Sequence, residues 1–183
     1  QNHSGMGGAI NTNSTLGSSN FDGSIQATAK VNAAAGFSIA GWTGTNGTGT
    51  IGHGLGVTVQ AYIVKRRDNS GDWRVYHQSL GNTKALKLNT TDAPSTGSSY
   101  WNNTSPTSTT VSLGSDSDLN GSTDKYIAYC FSEVAGYSKF GVYTGNSSSD
   151  GTFIHLGFRP AFFLLTRSDS GDNRIIKDSA RNA

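Results

Sequence analysis

The chain has 183 residues, of which 14% are charged and 10% are aromatic, and its formal net charge is +2. This small charge does not indicate binding to nucleic acid or to an anionic membrane surface, and no apolar run reaches the ~20 residues of a membrane span. A single cysteine, Cys130, excludes an internal disulfide.

Residues 1–35 are predicted to form a flexible or extended arm. The stretch is rich in Gly, Ser and Asn, and such a composition buries too little apolar surface to fold alone. We expect the arm to be ordered by contact with a neighbouring subunit, where it could cover an exposed sheet edge. Its isolated apolar residues would dock one by one: Met6, Ile10, Leu16, Phe21 and Ile25.

Residues 36–135 are predicted to form an antiparallel β-sandwich, of which a lectin-like jelly roll is one form. Short segments rich in β-branched and aromatic residues alternate with clusters of Gly, Asn, Asp and Ser, and no segment has a helical apolar stripe. The segment 125–134 is apolar on both faces, which predicts a central strand. The predicted strands cover 36–44, 59–67, 72–77, 84–89, 109–114 and 125–134.

An internal repeat connects the two parts of the chain at an offset of 100 positions (170 − 70). The hairpin sequence VKRRDNSGDWRVY begins at Val64, and LTRSDSGDNRII begins at Leu165. Outside the hairpin, Trp42 matches Tyr143 and His53 matches His155. The repeat predicts that residues 136–183 begin a second, similar β unit, truncated before completion. Its predicted strands cover 139–145, 153–158 and 161–167.

Several longer strings carry a resemblance to a known group of proteins: AGFSIAGWTG, IVKRRDNSGDWRVYHQSLG, YIAYCFSEVAGYSKFGVYTGN and DGTFIHLGFRPAFFLLTRSDSGD. Together they resemble the uncharacterised repeat domain common in tail-fibre and virion structural proteins of marine tailed phages. The resemblance implies a structural protein of the virion, located in a tail fibre or related appendage that contacts the host surface. It also implies other virion subunits as partners and no catalytic residues.

Two alternatives stay open at this point. The first is a head-decoration or capsid-fibre protein of the same particle, and the second is a carbohydrate-binding module of a secreted polysaccharide-processing protein. Because phage fibres and capsid decorations both use multiple copies, we expect a homo-oligomer, first of all a trimer.

The segment DSDLNGSTD matches the first part of a calcium-binding loop, in which alternate oxygens converge on the ion and a glycine permits a sharp turn. The candidate Ca²⁺ ligands are Asp116, Asp118, Asn120 and Asp124. Ile127 stands where an EF-hand has its bidentate glutamate, so further oxygens would have to come from elsewhere. The alternative is an ordinary Asp/Asn/Gly turn between two strands. No other cofactor is predicted.

The segment SSYWNNTSPTS places two large aromatic rings in a loop. Such a pair can stack on the apolar face of a sugar while neighbouring amides donate hydrogen bonds, which would suit a host surface glycan. The candidate residues are Tyr100, Trp101, Asn102 and Asn103. The alternative interpretation is an aromatic plug over the end of the sandwich.

Catalysis has little support in the sequence. No G-x-S-x-G nucleophile elbow is present, Glu133 is the only glutamate, and glycoside cleavage needs two facing carboxylates. Cys130 lies in the middle of an apolar strand, where a thiol behaves as a small hydrophobe. The histidines offer no close pair of zinc ligands. The sequence therefore predicts a protein that is not an enzyme.

Overall fold

The structure is a computed structural model that describes residues 17–180, and this part of the chain is mostly β. Two α-helices of four residues each, α1 (Ser98–Trp101) and α2 (Ser117–Asn120), lie in connections between strands. The strands are β1 (Ser18–Asn20), β2 (Ala27–Asn32), β3 (Phe37–Thr43), β4 (Gly49–Gly52), β5 (Ala61–Arg66), β6 (Arg74–His77), β7 (Lys84–Lys87), β8 (Ser95–Thr96), β9 (Thr110–Leu113), β10 (Lys125–Phe131), β11 (Phe162–Leu165) and β12 (Ile175–Asp178).

Eight of these strands form one antiparallel sheet in the order β1-β2-β3-β10-β5-β6-β7-β8. Strand β10 lies between β3 and β5, so that Ala128 is opposite Ala40 on one side and Val64 on the other. The prediction of a central strand in this segment is confirmed. The predicted all-β, antiparallel class is confirmed as well, whereas the sandwich and its jelly-roll form stay predictions.

One face of the sheet carries the core. Side chains alternate along a strand, so β10 directs Tyr126, Ala128 and Cys130 to the same side, where each is 0% exposed. The two-stranded sheet β4–β9 and the two short helices contribute the facing side chains. These buried partners include Ile51, Trp101, Val111, Leu113 and Leu119.

The structure corrects the predicted arm over residues 17–35, because this stretch belongs to the main sheet of its own chain. Strand β2 pairs with β3, where Ala27 lies opposite Trp42 and Ala29 opposite Ala40. Both alanines and Ile25 are buried in the core. The composition of this stretch is typical of a linker, but its small residues pair with β3 and are buried in the core. The rest of the predicted arm, including Met6, Ile10 and Leu16, lies outside the described residues.

The predicted second unit contains a single hairpin. Strands β11 and β12 pair with each other, and the structure has no strand over 139–145 or 153–158. The closing pairs are Leu165 with Ile175 and, in the earlier hairpin, Val64 with Arg74, ten positions apart in both (175 − 165 and 74 − 64). The sequence offset of 100 would have paired Leu164 with Arg174, whereas Leu164 pairs with Ile176, so the register of the second ladder differs by two residues. The repeat as a structural unit stays a prediction.

Within residues 17–180, no helix has the length and apolar character needed to cross a membrane.

Candidate functional site

The predicted calcium loop lies between β9 and β10, where its first two carboxylates meet an arginine. Asp116 caps α2 by accepting a hydrogen bond from the Asp118 backbone N–H at 2.8 Å. The Arg74 guanidinium donates from Nη2 to Asp116 Oδ2 at 3.2 Å and from Nε to Asp118 Oδ2 at 3.1 Å. One arginine of the β5–β6 hairpin is therefore paired with two of the proposed ligands.

The other two predicted ligands have separate partners. Asp124 Oδ2 lies 2.7 Å from Arg66 Nη2, and its Oδ1 accepts from Asn69 Nδ2 at 3.2 Å. Asn120 is fully buried and holds the turn between β3 and β4. Its Nδ2 donates to Gly47 O at 2.8 Å, and its Oδ1 accepts from the Thr45 N–H at 3.0 Å.

These contacts give the acidic loop a role in holding elements together. A calcium site needs oxygens that converge on one point. Here the three carboxylates pair with Arg66 and Arg74, and the Asn120 amide bonds to the turn between β3 and β4. In the part of the chain that the structure describes, no three His, Cys, Asp or Glu residues are placed to hold a metal ion. The arrangement attaches the β5–β6 hairpin to the segment that leads into β10. Calcium binding stays a prediction.

The structure contradicts the proposed role of Trp101 in stacking on a sugar. Trp101 is 0% exposed, and its Nε1 donates to Lys84 O at 2.8 Å. Its ring meets Tyr62 and Tyr76 edge-on, with centroid distances of 4.9 and 5.9 Å. A buried ring with a satisfied N–H cannot receive a glycan, so the aromatic plug is the interpretation that fits.

The residues beside this tryptophan remain at the surface. Tyr100 is half-buried, and the Arg74 guanidinium carbon lies 5.0 Å from its ring centroid. Asn102 and Asn103 are exposed in left-handed backbone conformations, with φ of 52° and 49°, which asparagine tolerates well. Asn102 ends α1 by donating its N–H to Ser98 O at 2.8 Å. These asparagines therefore shape the end of the helix.

Burial favours the neutral forms of two side chains that could carry chemistry, Cys130 and His53. Burial raises the pKa of the Cys130 thiol to about 12, so the thiolate is scarce near neutral pH. Burial also lowers the pKa of His53, whose Nδ1 accepts from the Leu55 N–H at 3.3 Å. The other ring nitrogen, Nε2, lies 3.4 Å from Thr107 O. Both side chains therefore act as core residues. His155, the sequence match of His53, is exposed.

Sequence reasoning missed the many exposed apolar side chains in the C-terminal part of the chain. Within residues 17–180, twelve large apolar side chains are exposed, and ten of them fall between 137 and 176. We call these ten the C-terminal apolar surface: Tyr137, Val142, Tyr143, Phe153, Ile154, Phe162, Phe163, Leu164, Ile175 and Ile176. The signal in the sequence was that some of these residues match core residues of the first part of the chain, as Tyr143 matches Trp42.

The β11–β12 hairpin is attached to the first module through its turn. Arg174 Nη2 donates to Lys87 O at 3.0 Å and to Asp92 O at 2.8 Å. A Cβ on Gly171 would lie 2.7 Å from Thr91 O, so only glycine permits this close approach. The hairpin is thus fixed at its turn while its apolar strands stay open to solvent.

The family described as "Domain of unknown function (DUF7483)" matches residues 11–183. No curated protein and no solved structure matches the chain.

Proposed function

The chain belongs to the DUF7483 family, whose function is unknown, and we propose that it is a non-enzymatic structural protein of a phage virion. In this proposal it is part of a tail fibre or related appendage that contacts the host surface. It works as one copy in a homo-oligomer, with a trimer as the first expectation.

The observation that carries the proposal is the C-terminal apolar surface. Phe153 is 87% exposed, Val142 67% and Phe162 57%. Isolated apolar side chains are normal on a protein surface, but a concentration of them marks an interaction site. Ten exposed apolar side chains between residues 137 and 176 therefore support contact with other protein subunits.

The chemistry of the interior also supports a structural role. The acidic residues that could have served a metal or a reaction are paired with Arg66 and Arg74. The thiol of Cys130 is buried and protonated. The sequence strings that resemble phage appendage domains supply the viral context, and a structural subunit suits both observations.

The two alternatives stand differently. A head-decoration or capsid-fibre protein would use the same apolar surface, so only its position on the particle separates it from a tail fibre. A carbohydrate-binding module loses its main candidate, because Trp101 is buried and cannot stack on a sugar.

The test combines particle labelling with oligomer mass. Antibody against the chain should label the tail appendage in electron micrographs of the source phage, and light scattering of the purified chain should give three copies. Phe153→Ser should weaken the oligomer because it removes an apolar contact. Phe21→Ser is the matched control, since Phe21 is 71% exposed but lies outside the C-terminal apolar surface. Labelling of the head favours the decoration protein, and an unlabelled particle with a monomeric chain overturns the proposal.

A further inference from the structure

The main sheet has a second face, directed away from the core, that is also apolar. One row of side chains on this face crosses the strands β3, β10, β5, β6 and β7 in register, over about 19 Å at the usual strand spacing. The row consists of Ile39, Tyr129, Ile63, Val75 and Leu86. We call the side of the sheet that carries this row the outer face.

The outer face differs from the solvated face of an ordinary antiparallel sheet, where polar side chains alternate with the buried ones. Its central side chains Ile39, Ile63 and Val75 are half-buried. The Phe140 ring covers one end of the face, with centroid distances of 6.0 Å to Phe131 and 6.3 Å to His77. The middle of the face is therefore a surface on which a ligand can lie.

The charges on the outer face have one sign. Strands β2, β3, β5, β6, β7 and β10 contain no Asp or Glu. Because side chains alternate along a strand, Lys65, Lys84 and Lys125 lie on the outer face. Within residues 17–180, none of the three forms an ion pair with a carboxylate. Glu133, just beyond β10, is paired with Lys139 at 2.9 Å.

These ammonium groups keep donors for a ligand. Lys65 Nζ donates to Gly71 O at 2.8 Å, and Lys125 Nζ donates to Thr43 Oγ1 at 3.2 Å. An ammonium group has three donors, so each of these lysines can also bind an anion. Lys30 lies on the same face but is 4% exposed. The accessible lysines around the apolar row favour an anionic partner by charge complementarity.

Two aromatic rings on the outer face are suited to sugar. Trp73, which precedes β6, lies against Tyr129, with 13° between the ring planes and 6.4 Å between the centroids. Trp73 Nε1 and Tyr129 Oη make no hydrogen bond within residues 17–180, and neither atom is buried. The electron-rich face of an aromatic ring attracts the C–H groups of a sugar ring, and the unpaired N–H and O–H can bond its hydroxyl groups.

We propose that the outer face binds an acidic polysaccharide, a chain of pyranose rings that carry carboxylates. The sugar rings stack on Trp73 and Tyr129. The carboxylates meet the ammonium groups of Lys65, Lys84 and Lys125. The apolar row lies beneath the C–H surface of the chain.

Two other occupants fit this face less well. A second copy of the chain, laid face to face, would bring the same lysines against each other, and like charges across an interface are unfavourable. Single-stranded nucleic acid also combines stacking rings with negative charge, but its binding draws on many phosphate contacts. The formal net charge of this chain is only +2.

This inference rests on the proposed function only for the source of the polysaccharide, which is the host surface. Binding is measured on the purified chain and needs neither the particle nor an oligomer. A chain that binds the polysaccharide but labels no particle keeps this inference and favours the carbohydrate-binding module.

The test titrates hexagalacturonate into the purified chain, followed by tryptophan fluorescence and calorimetry. Trp42 is 5% exposed and Trp101 is 0% exposed, so Trp73 is the tryptophan that a ligand on the outer face reaches. Binding should therefore change the fluorescence. The fully methyl-esterified hexasaccharide has the same rings without the charge and should bind about tenfold more weakly.

The variants separate stacking from charge. Trp73→Ala should weaken binding about tenfold, whereas Trp73→Phe should keep binding by calorimetry and lose the fluorescence change. Lys84→Gln should weaken binding of hexagalacturonate. Lys87→Gln is the matched control, because Lys87 lies in the same strand but on the other side, where it pairs with Asp72 at 3.0 Å. Circular dichroism melting curves check that each variant is folded.

Three results would overturn the proposal. The first is no binding of hexagalacturonate at millimolar concentration, and the second is equal binding of the charged and esterified probes. The third is equal affinity of the Lys84→Gln and Lys87→Gln chains. A single-stranded oligonucleotide that produces the same fluorescence change and binds more tightly than hexagalacturonate would overturn it as well, since the outer face would then bind nucleic acid.

Discussion

Asp118→Ala separates the two roles considered for the acidic loop. The Asp118 carboxylate is 14% exposed, and its Oδ2 accepts from Arg74 Nε at 3.1 Å. A hydrogen bond to a charged group contributes about 1.5–3 kcal/mol. Because Arg74 keeps Asp116 at 3.2 Å, its charge is not left alone, and a cost of about 2 kcal/mol is expected. For a chain of this size the melting temperature should fall by about 4–8 °C.

The assay is thermal unfolding by circular dichroism, with and without chelator, at low background calcium. If Arg74 is the partner of Asp118, both the unaltered chain and the variant should be insensitive to chelator, and the variant should melt lower in both conditions. Asp169→Ala is the matched control, since its carboxylate also pairs with an arginine but is 72% exposed. Solvent screens such a pair, so the control should melt close to the unaltered chain.

The opposite pattern would refute this reasoning. Calcium at 100 times its dissociation constant stabilises a folded protein by about 2.7 kcal/mol. If chelator lowers the melting temperature of the unaltered chain by about 5–11 °C and leaves Asp118→Ala unchanged, the carboxylates hold calcium.

Three further predictions concern the buried side chains. Trp101→Ala should lower the free energy of unfolding by about 3–5 kcal/mol, measured by urea titration. Tyr100→Ala should cost less, because Tyr100 is only half-buried at the edge of the core, and equal costs would contradict the plug. Burial lowers the pKa of His53 in the folded state. The unfolded chain therefore binds a proton on this imidazole at a higher pH than the folded chain does, and the free energy of unfolding should fall as the pH drops from 6.5. His53→Gln should reduce that slope between pH 6.5 and 5.5, and an unchanged slope would show that His53 is not the cause. Cys130, with a pKa of about 12, should react with a thiol reagent only after denaturant is added; rapid labelling of the folded chain would contradict its burial.

The strands that could be predicted from sequence are those whose pattern is local. The segment 125–134 is apolar on both faces, and the structure places β10 between β3 and β5. The sequence predicts that residues 27–32 belong to the arm, because ATAKVN has almost no large side chains. The burial of Ala27 and Ala29 follows from the pairing of β2 with β3, which a pattern local to residues 27–32 does not show. The size of a side chain therefore does not predict whether the surrounding strands bury it.

The candidate sites failed to follow from sequence for a related reason. The aspartate spacing of the loop is compatible with calcium or with arginine, because both bind carboxylate oxygens. The choice depends on Arg74, which lies 42 positions from Asp116 along the chain. Likewise, Trp101 is the last residue of the short helix α1, and its ring contacts Tyr62 and Tyr76 on strands elsewhere in the chain. The spacing within a motif shows which side chains of that motif can lie close together. It does not show which side chains from distant segments will pair with them.

The repeat shows the same distinction between local and distant contacts within one molecule. A hairpin needs only its two strands and its turn, and the second copy forms β11–β12 with the same separation of its closing pair as β5–β6. The main sheet needs a distant contact as well. Strands β3 and β5 are joined by β10, which pairs with both and comes much later in the chain. Residues 139–145 have the apolar character of a strand but no β10 beside them, and they form none. Within the described residues, a local hairpin is present in both segments, whereas a sheet like β3-β10-β5 is present in the first alone.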